Sequence, residues 1–367
     1  MKPNTLTQKY LSAIFLIILT QVICFSQEQF TYNHNGTERS YFLYIPEGIE
    51  DDAPLVFVLH GYTSSAAVIM NYCGMNDIAD DEKFAVCYPQ GTTDFLNIPH
   101  WNANLSVSTT DDIGFLTELA NYLQTEYNLN PDHTFSCGMS NGGFMSYSLA
   151  CERPDVFKAI ASVTGTMSGY DWANCDPDEI IPIFQIHGFD DAVVPYDGNW
   201  NPPGGWGGSD GVESVRDFWI EKNQTTEITR VELHPNLLAE YYSGGLNNNQ
   251  VWFYPITDWG HEWPTEGKMD RSGILGSEEI WQFFELVINN QSTSTSEVLS
   301  SNTLHYPNPF SEDVTINATD LEIYTIGGAL IYKSNKLIKG ETIDLSELDK
   351  GMYLFKSGNN IQKMTTF

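Results

Sequence analysis

From residue 41 to about residue 290 the chain alternates two kinds of apolar pattern. Short β-branched and aromatic runs at 54–60, 84–88, 134–138, 182–187 and 251–256 are apolar at nearly every position. That is the pattern of strands buried on both faces, as in a parallel sheet. Residues 115–126 and 278–288 instead carry apolar side chains every third or fourth position, which predicts helices laid against that sheet. The alternation predicts an α/β fold whose mostly parallel sheet is flanked by helices. Residues 291–302 are dominated by Asn, Gln, Ser and Thr, the composition of a linker. Beyond it, short runs at 313–318, 321–324, 329–333, 341–345 and 351–356, with Gly327-Gly328 and Asn359-Asn360 as turns, predict a small all-β sandwich. The expected organisation is therefore a large domain over 27–290 and a small one over 303–367, a division that 367 residues accommodate.

The first 26 residues have the pattern of an export signal. Lys2 and Lys9 precede the apolar run 11–19, and Cys24 and Ser26 follow at the small-residue end. The run is short for a bilayer span, and bulky Ile23 stands where a lipid-attachment signal needs a small residue. A chain with no stable membrane insertion is expected. The net charge is −31 and becomes −33 without the signal, which contains two lysines and no acid. Residues 291–367 account for −3 of it, so the acidity belongs to the large domain. A field of that sign repels polyanions, which excludes nucleic acid as a default partner, and its ordinary use is solubility. An exported chain permits disulfides. Five cysteines lie beyond the signal, an odd number, so at least one is unpaired. Cys137, inside an apolar run, is the candidate for a buried thiol, and Cys73 with Cys87 and Cys151 with Cys175 are the trial pairs.

Candidate chemistry centres on Gly138-Met139-Ser140-Asn141-Gly142-Gly143, which follows a predicted strand and opens a helical segment. In that context G-x-S-x-G reads as a nucleophile elbow, a turn so sharp that a Cβ on either flank would clash. A serine hydroxyl needs a base, and the base needs an orienting acid. Of the four downstream histidines, His261 lies in Trp259-Gly260-His261-Glu262-Trp263-Pro264, after the last strand and before the final helix of the large domain. That is where this fold places its base. His187 ends a strand ahead of the acid and reads as structural, His234 sits in a polar connection, and His305 lies across the linker. The acid is expected in the loop following His187-Gly188, where Asp190 and Asp191 both stand, and chemistry alone does not separate neighbours. The second aspartate of such a pair usually holds its loop by accepting from backbone amides. For the oxyanion, the backbone amide of Asn141 and that of Tyr62, after the strand ending at Leu59, are the expected donors, with His60 bracing the latter loop. Asp111-Asp112 opens a helix and reads as a cap; without accompanying ligands a metal role is the less favoured alternative, so no metal or other cofactor is expected. Tryptophans 101, 200, 206, 259 and 263 fall in predicted loops. Trp101 and Trp263, with Tyr62, are taken as substrate-contact candidates in a cleft suited to flat or hydrophobic groups.

On Leu59-His60-Gly61-Tyr62, Asp111-Asp112-Ile113-Gly114-Phe115, the Ser140 elbow, Leu149 to Asp155, His187 to Tyr196 and Gly260 to Pro264, the large domain resembles the polyhydroxybutyrate depolymerase and feruloyl esterase branch of the α/β-hydrolases. The resemblance spans about 230 residues and implies a Ser140–His261–Asp191 triad, Asp191 being the position that matches the family acid. This chain departs at Phe189 and Asp190, where small residues are usual. The tail resembles a type IX secretion sorting domain of Bacteroidetes on Tyr306-Pro307-Asn308-Pro309-Phe310 and Lys350-Gly351-Met352-Tyr353-Leu354, although its last residues, 362–367, are less basic than the usual ending. It implies the type IX secretion machinery as a partner and an extracellular or cell-surface destination. Together these imply a secreted serine esterase whose substrate is a polyester, namely a polyhydroxyalkanoate or an aromatic polyester such as polyethylene terephthalate. The alternatives are a feruloyl or acetyl xylan esterase of hemicellulose, a peptidase, and a surface binding module on a catalytically dead hydrolase fold.

Overall fold

The computed structural model describes residues 29–294 apart from residue 204, and residues 305–366 with short gaps. The residues expected to form an export signal, most of the expected linker and the expected Gly327-Gly328 turn lie outside the described residues.

Ten strands form the main sheet: β1 (Gln29–His34), β2 (Thr37–Tyr44), β3 (Leu55–Leu59), β4 (Ala85–Pro89), β5 (Thr134–Met139), β6 (Ile160–Val163), β7 (Ile183–Gly188), β8 (Glu227–His234), β9 (Leu237–Ser243) and β10 (Val251–Ile256). Their order is β1-β2-β4-β3-β5-β6-β7-β10-β9-β8. The six central strands, β4 to β10 in that order, run parallel. Antiparallel hairpins β1–β2 and β9–β8 extend the two edges. This is the mostly parallel, helix-flanked sheet that the apolar pattern predicts.

Alternation along the central strands divides the core. Val56 and Val58 of β3 join the cluster under α1 (Ala66–Cys73), α2 (Met75–Glu82) and α7 (Gly276–Ser294). Leu55, Phe57 and Leu59 face the opposite cluster under α3 (Asp112–Glu126) and α4 (Asn141–Glu152). A third cluster, containing Val215 and Trp219 of α6 (Val212–Asn223), packs the far side of α4 near α5 (Gly169–Asn174). Capping follows the sequence locally: Ser65 accepts from Val68 N at the start of α1, and Asp111 accepts from Gly114 N at the start of α3.

The same alternation overturns one trial disulfide. Cys73 belongs to the cluster on one face of the sheet and Cys87 to the cluster on the other. Tyr88, not Cys87, turns toward Cys73, as successive strand residues must. Cys73, Cys87 and Cys137 are free and buried, while Cys151 at the end of α4 is bonded to Cys175 after α5.

Helix α7 runs to Ser294, four residues into the stretch read as linker, because helical hydrogen bonding started on an apolar stripe propagates readily. In the tail, a three-stranded and a four-stranded antiparallel sheet share one core of Val314, Ile316, Leu321, Ile323, Tyr353, Phe355 and Met364. Its last strand, Asn360–Thr366, starts within the expected Asn359-Asn360 turn and adds a strand beyond the runs that the sequence pattern predicts.

Candidate active site

Because the central strands are parallel, every loop leaving a carboxyl end emerges at one edge of the sheet. The loops after β3, β5, β7 and β10 therefore gather there, and they carry Tyr62, Ser140, Asp191 and His261 respectively.

Ser140 stands between β5 and α4 with φ 54° and ψ −120°, a backbone conformation that costs a non-glycine residue about 1–3 kcal/mol. Its amide donates to Val163 O of β6 at 2.8 Å. The elbow leaves no room beside it: a Cβ on Gly142 would meet the Leu59 carbonyl oxygen at 2.1 Å, and one on Gly138 would meet the Gly142 carbonyl carbon at 2.5 Å. A Cβ on Gly61 would stand 3.4 Å from that of Ser140, so the loop after β3 abuts Ser140.

Asp191 and His261 meet although seventy residues separate them. Asp191 Oδ2 accepts from His261 Nδ1 at 2.7 Å. Asp191 Oδ1 accepts from the amides of Val193 and Val194, each at 2.8 Å. The carboxylate is inaccessible to solvent, whereas the His261 ring is 19% exposed. Asp191 thus does both things expected of two aspartates, since it holds the loop and touches His261. Asp190 is exposed, and its amide donates to Trp259 O at 3.0 Å, which ties the two loops together. The His261 loop is held further by Trp259 Nε1 donating to Glu262 O and by Lys268 and Arg271 pairing with the Glu262 carboxylate. With Nδ1 given to Asp191, Nε2 is the proton-accepting atom of a neutral ring.

The expected oxyanion donors sit on braced backbone. The Asn141 side chain accepts from Trp101 N at 2.6 Å and donates to Trp101 O at 3.0 Å. Trp101 Nε1 donates to His60 O at 3.0 Å. His60 donates from Nδ1 to Gly61 O and accepts the Gly91 amide at Nε2, and burial lowers its pKa to about 4, so the brace is a neutral ring. Tyr62 donates its hydroxyl to Asp94 at 2.6 Å, a bond that raises the phenol pKa to about 12. Asp94 also accepts from the amides of Leu96 and Ile98, which fastens the hairpin of Thr92–Thr93 and Pro99–His100 to the Tyr62 loop.

The tryptophan cleft is corrected. Trp101 and Trp263 are buried scaffold, as is Trp259; Trp101 binds His60 and Asn141, and Trp263 packs edge-on against Tyr72. Exposed at this edge instead are Tyr62, Phe95, Leu96, Phe189, Val193 and Trp200. Phe189 stacks on Tyr196 at 4.1 Å between ring centres. An exposed apolar loop tip such as Phe95-Leu96 leaves no periodic signal, which is why the sequence reading missed it. Asp111 caps α3 and contacts His34, while Asp112 forms a buried ion pair with Arg39 at 2.6 Å. Among the described residues no group of three His, Cys, Asp or Glu side chains is placed to hold a metal, and no helix is long and apolar enough to cross a membrane.

Residues 39–178 match the family model described as esterase PHB depolymerase, and residues 305–366 match the secretion system C-terminal sorting domain. A probable feruloyl esterase C of Aspergillus terreus is 30% identical over 270 residues, covering 69% of this chain and 85% of that protein. The putative esterase NocK of Nocardia uniformis subsp. tsuyamanensis is 31% identical over 166 residues, 44% of this chain; the match spans 48% of that relative, about half its length. Among solved structures, an acetyl xylan esterase from Aspergillus awamori superposes with a TM-score of 0.50 at 14% identity, covering 70% of this chain and 99% of its own, and shares the fold.

Proposed function

The chain belongs to the esterase family of PHB depolymerases and feruloyl esterases and carries a secretion sorting domain, and on that premise we propose that it is a secreted serine carboxylic ester hydrolase acting through Ser140, His261 and Asp191. The observation that carries the reading is the 2.7 Å bond from His261 Nδ1 to a fully buried Asp191 carboxylate at the sheet edge where the Ser140 elbow emerges. Ser140 Oγ attacks the ester carbonyl carbon as His261 Nε2 takes its proton. The amides of Asn141 and Tyr62 receive the developing oxyanion, and His261 returns the proton to the departing alkoxide. Water, deprotonated by the same ring, then releases the acid from Ser140. Asp191 keeps the ring in the tautomer that both steps need.

The favoured substrate is an uncharged, water-insoluble polyester, either a polyhydroxyalkanoate or an aromatic polyester of the terephthalate kind. Exposed apolar side chains on the surrounding loops support it, as does an acidic enzyme half that would repel polyanions. A hemicellulose esterase releasing ferulate or acetate is the second reading, favoured by the extent of the match to the relative named feruloyl esterase C. Residues 1–26 would act as the signal and the domain at 303–367 would engage the type IX machinery, delivering the enzyme outside the cell.

The test is hydrolysis of a short-chain nitrophenyl ester, methyl ferulate, a hydroxybutyrate oligomer and a terephthalate diester by wild type and Ser140→Ala. Loss of roughly 10⁴- to 10⁶-fold in the folded variant is expected, with polyester models outpacing ferulate. A ferulate preference would select the second reading. Equal turnover by the variant would remove the assignment, and no hydrolysis of any of these esters by wild type would favour a binding role.

A further inference from the structure

The carboxylate of Asp191 has a second imidazole behind it. His187, the penultimate residue of β7, is fully buried. Its Nε2 lies 2.9 Å from the carbonyl oxygen of Val194 and 3.4 Å from Oδ2 of Asp191. Both partners can only accept, so Nε2 carries a proton. Nδ1 faces Gln185 Nε2 at 3.1 Å. That amide is oriented from both ends: its nitrogen lies 2.9 Å from the Gly165 carbonyl oxygen, an obligate acceptor, and its oxygen receives the Tyr147 hydroxyl at 2.8 Å. A donor at Gln185 leaves Nδ1 bare, and burial holds the ring below its ordinary pKa. A neutral tautomer protonated on Nε2 satisfies Val194, Asp191 and Gln185 together.

We infer that His187 is a positioning residue for Asp191, held in its tautomer by Gln185 and Tyr147, and that it clamps the 191–194 turn so that Oδ2 stays aimed at His261. The inference rests on the proposed triad. The turn closes on itself from above, because the amides of Val193 and Val194 grip Oδ1. His187 grips it from below through the Val194 carbonyl, and its N–H flanks Oδ2 on the side away from His261. Without that ring the Val194 carbonyl would be a buried acceptor with no donor from β7, and the turn could relax by the fraction of an ångström that separates a productive hydrogen bond from an idle one. A protonated or inverted His187 would disturb the same pair, by competing for Oδ2 or by presenting a lone pair to two acceptors. The Gln185 amide prevents the inversion.

The experiment compares His187→Leu, His187→Gln and Gln185→Leu with wild type. It reads kcat and KM on a soluble nitrophenyl ester and the low-field proton resonance of His261 Nδ1–H, assigned by its loss in His261→Ala. His187→Leu should lower kcat by about 10- to 100-fold with KM little changed and weaken the low-field resonance. His187→Gln, whose amide N–H reaches the position of Nε2, should restore most of both. A folded His187→Leu with wild-type kcat and resonance would overturn the inference, as would equal impairment of His187→Leu and His187→Gln, which would mean packing alone. Should His187→Leu fail to fold, Gln185→Leu decides: an altered resonance with lowered kcat supports the tautomer lock, and wild-type values sink it. Asp191→Asn separates the two readings. If it retains turnover the triad itself fails; if it is inactive while His187→Leu is normal, only the present inference does.

Discussion

Asp191→Asn probes the acid with the least change in shape, and its effect can be worked from the hydrogen bonds. In the native site Oδ1 takes two backbone amides and Oδ2 takes the imidazole N–H. An asparagine has one acceptor oxygen, and two amides outbid one ring for it, so the oxygen stays on Val193 and Val194 and the NH₂ turns to His261. A donor there forces Nδ1 to become the acceptor, which moves the ring proton to Nε2, the atom that should receive the serine proton. Wrong-tautomer variants of this kind lose about 10⁴-fold in kcat, equivalent to roughly 5 kcal/mol of transition-state stabilisation. The stability cost should be smaller, about 1–3 kcal/mol, since the loop keeps both backbone bonds and only the NH₂ facing His187 Nε2–H is badly matched. The assay is steady-state hydrolysis of a nitrophenyl ester at a temperature where urea unfolding shows the variant to be native, beside Asp190→Asn as a control that should stay within a few-fold of wild type. A variant retaining a tenth or more of kcat would refute the reasoning, and an Asp190→Asn loss matching that of Asp191→Asn would move the acid to its neighbour.

Two further outcomes concern stability. Replacing Cys151 and Cys175 by alanine opens a loop of sequence separation 24, which by loop entropy should lower the unfolding free energy by about 3 kcal/mol while leaving kcat nearly unchanged; a urea midpoint indistinguishable from wild type would contradict it. Asp171 is buried on α5 with a pKa raised by burial to about 6, and it accepts from Ser148 and Asn104. Between the unfolded value near 3.9 and pH 6 the native chain holds a proton that the unfolded chain has released. Its contribution is thus complete below about pH 4 and falls as pH rises through 6, by about 3 kcal/mol at pH 7. Asp171→Asn should therefore gain on wild type in unfolding free energy between pH 4.5 and 7.5, and a constant difference across that range would refute the burial argument.

How far the fold and site could be read from the chain depended on burial. Strands β3, β5, β7 and β10 are buried on both faces, so their apolar runs stand out within a residue or two of the observed ends. Strand β8 leaves no strand signal, and His234 with it reads as part of a polar connection, because Val231 is its one buried residue and the rest has the composition of a loop. Helix α4 escapes the amphipathic test for the opposite reason, since eleven of its twelve residues are buried. The sharp turn at Ser140 is legible from its motif, and the place of His261 after the last central strand from chain order. Resemblance alone favours Asp191 over Asp190, because which neighbour turns inward depends on the amides of Val193 and Val194 and not on residue type. The tryptophans misled because an aromatic in a loop looks the same whether its indole N–H serves a buried carbonyl, as at Trp101, or faces water, as at Trp200.

Strand β6 is four residues long, buried throughout, and lies between β5 and β7. It takes the Ser140 amide on Val163 O at 2.8 Å, and the following Thr164 amide reaches Ile186 O of β7 at 2.9 Å. The strand is thereby a seam: Ser140, Asn141 and Tyr62 belong to one half of the sheet, Asp191 and His261 to the other. At about 4.8 Å to each side, it sets the spacing between β5 and β7, the strands that lead to Ser140 and to Asp191. Ile160–Val163 is thus a spacer: its two neighbours hand the Ser140 turn and the Asp191 loop out of the sheet at a separation that the strand ladder fixes.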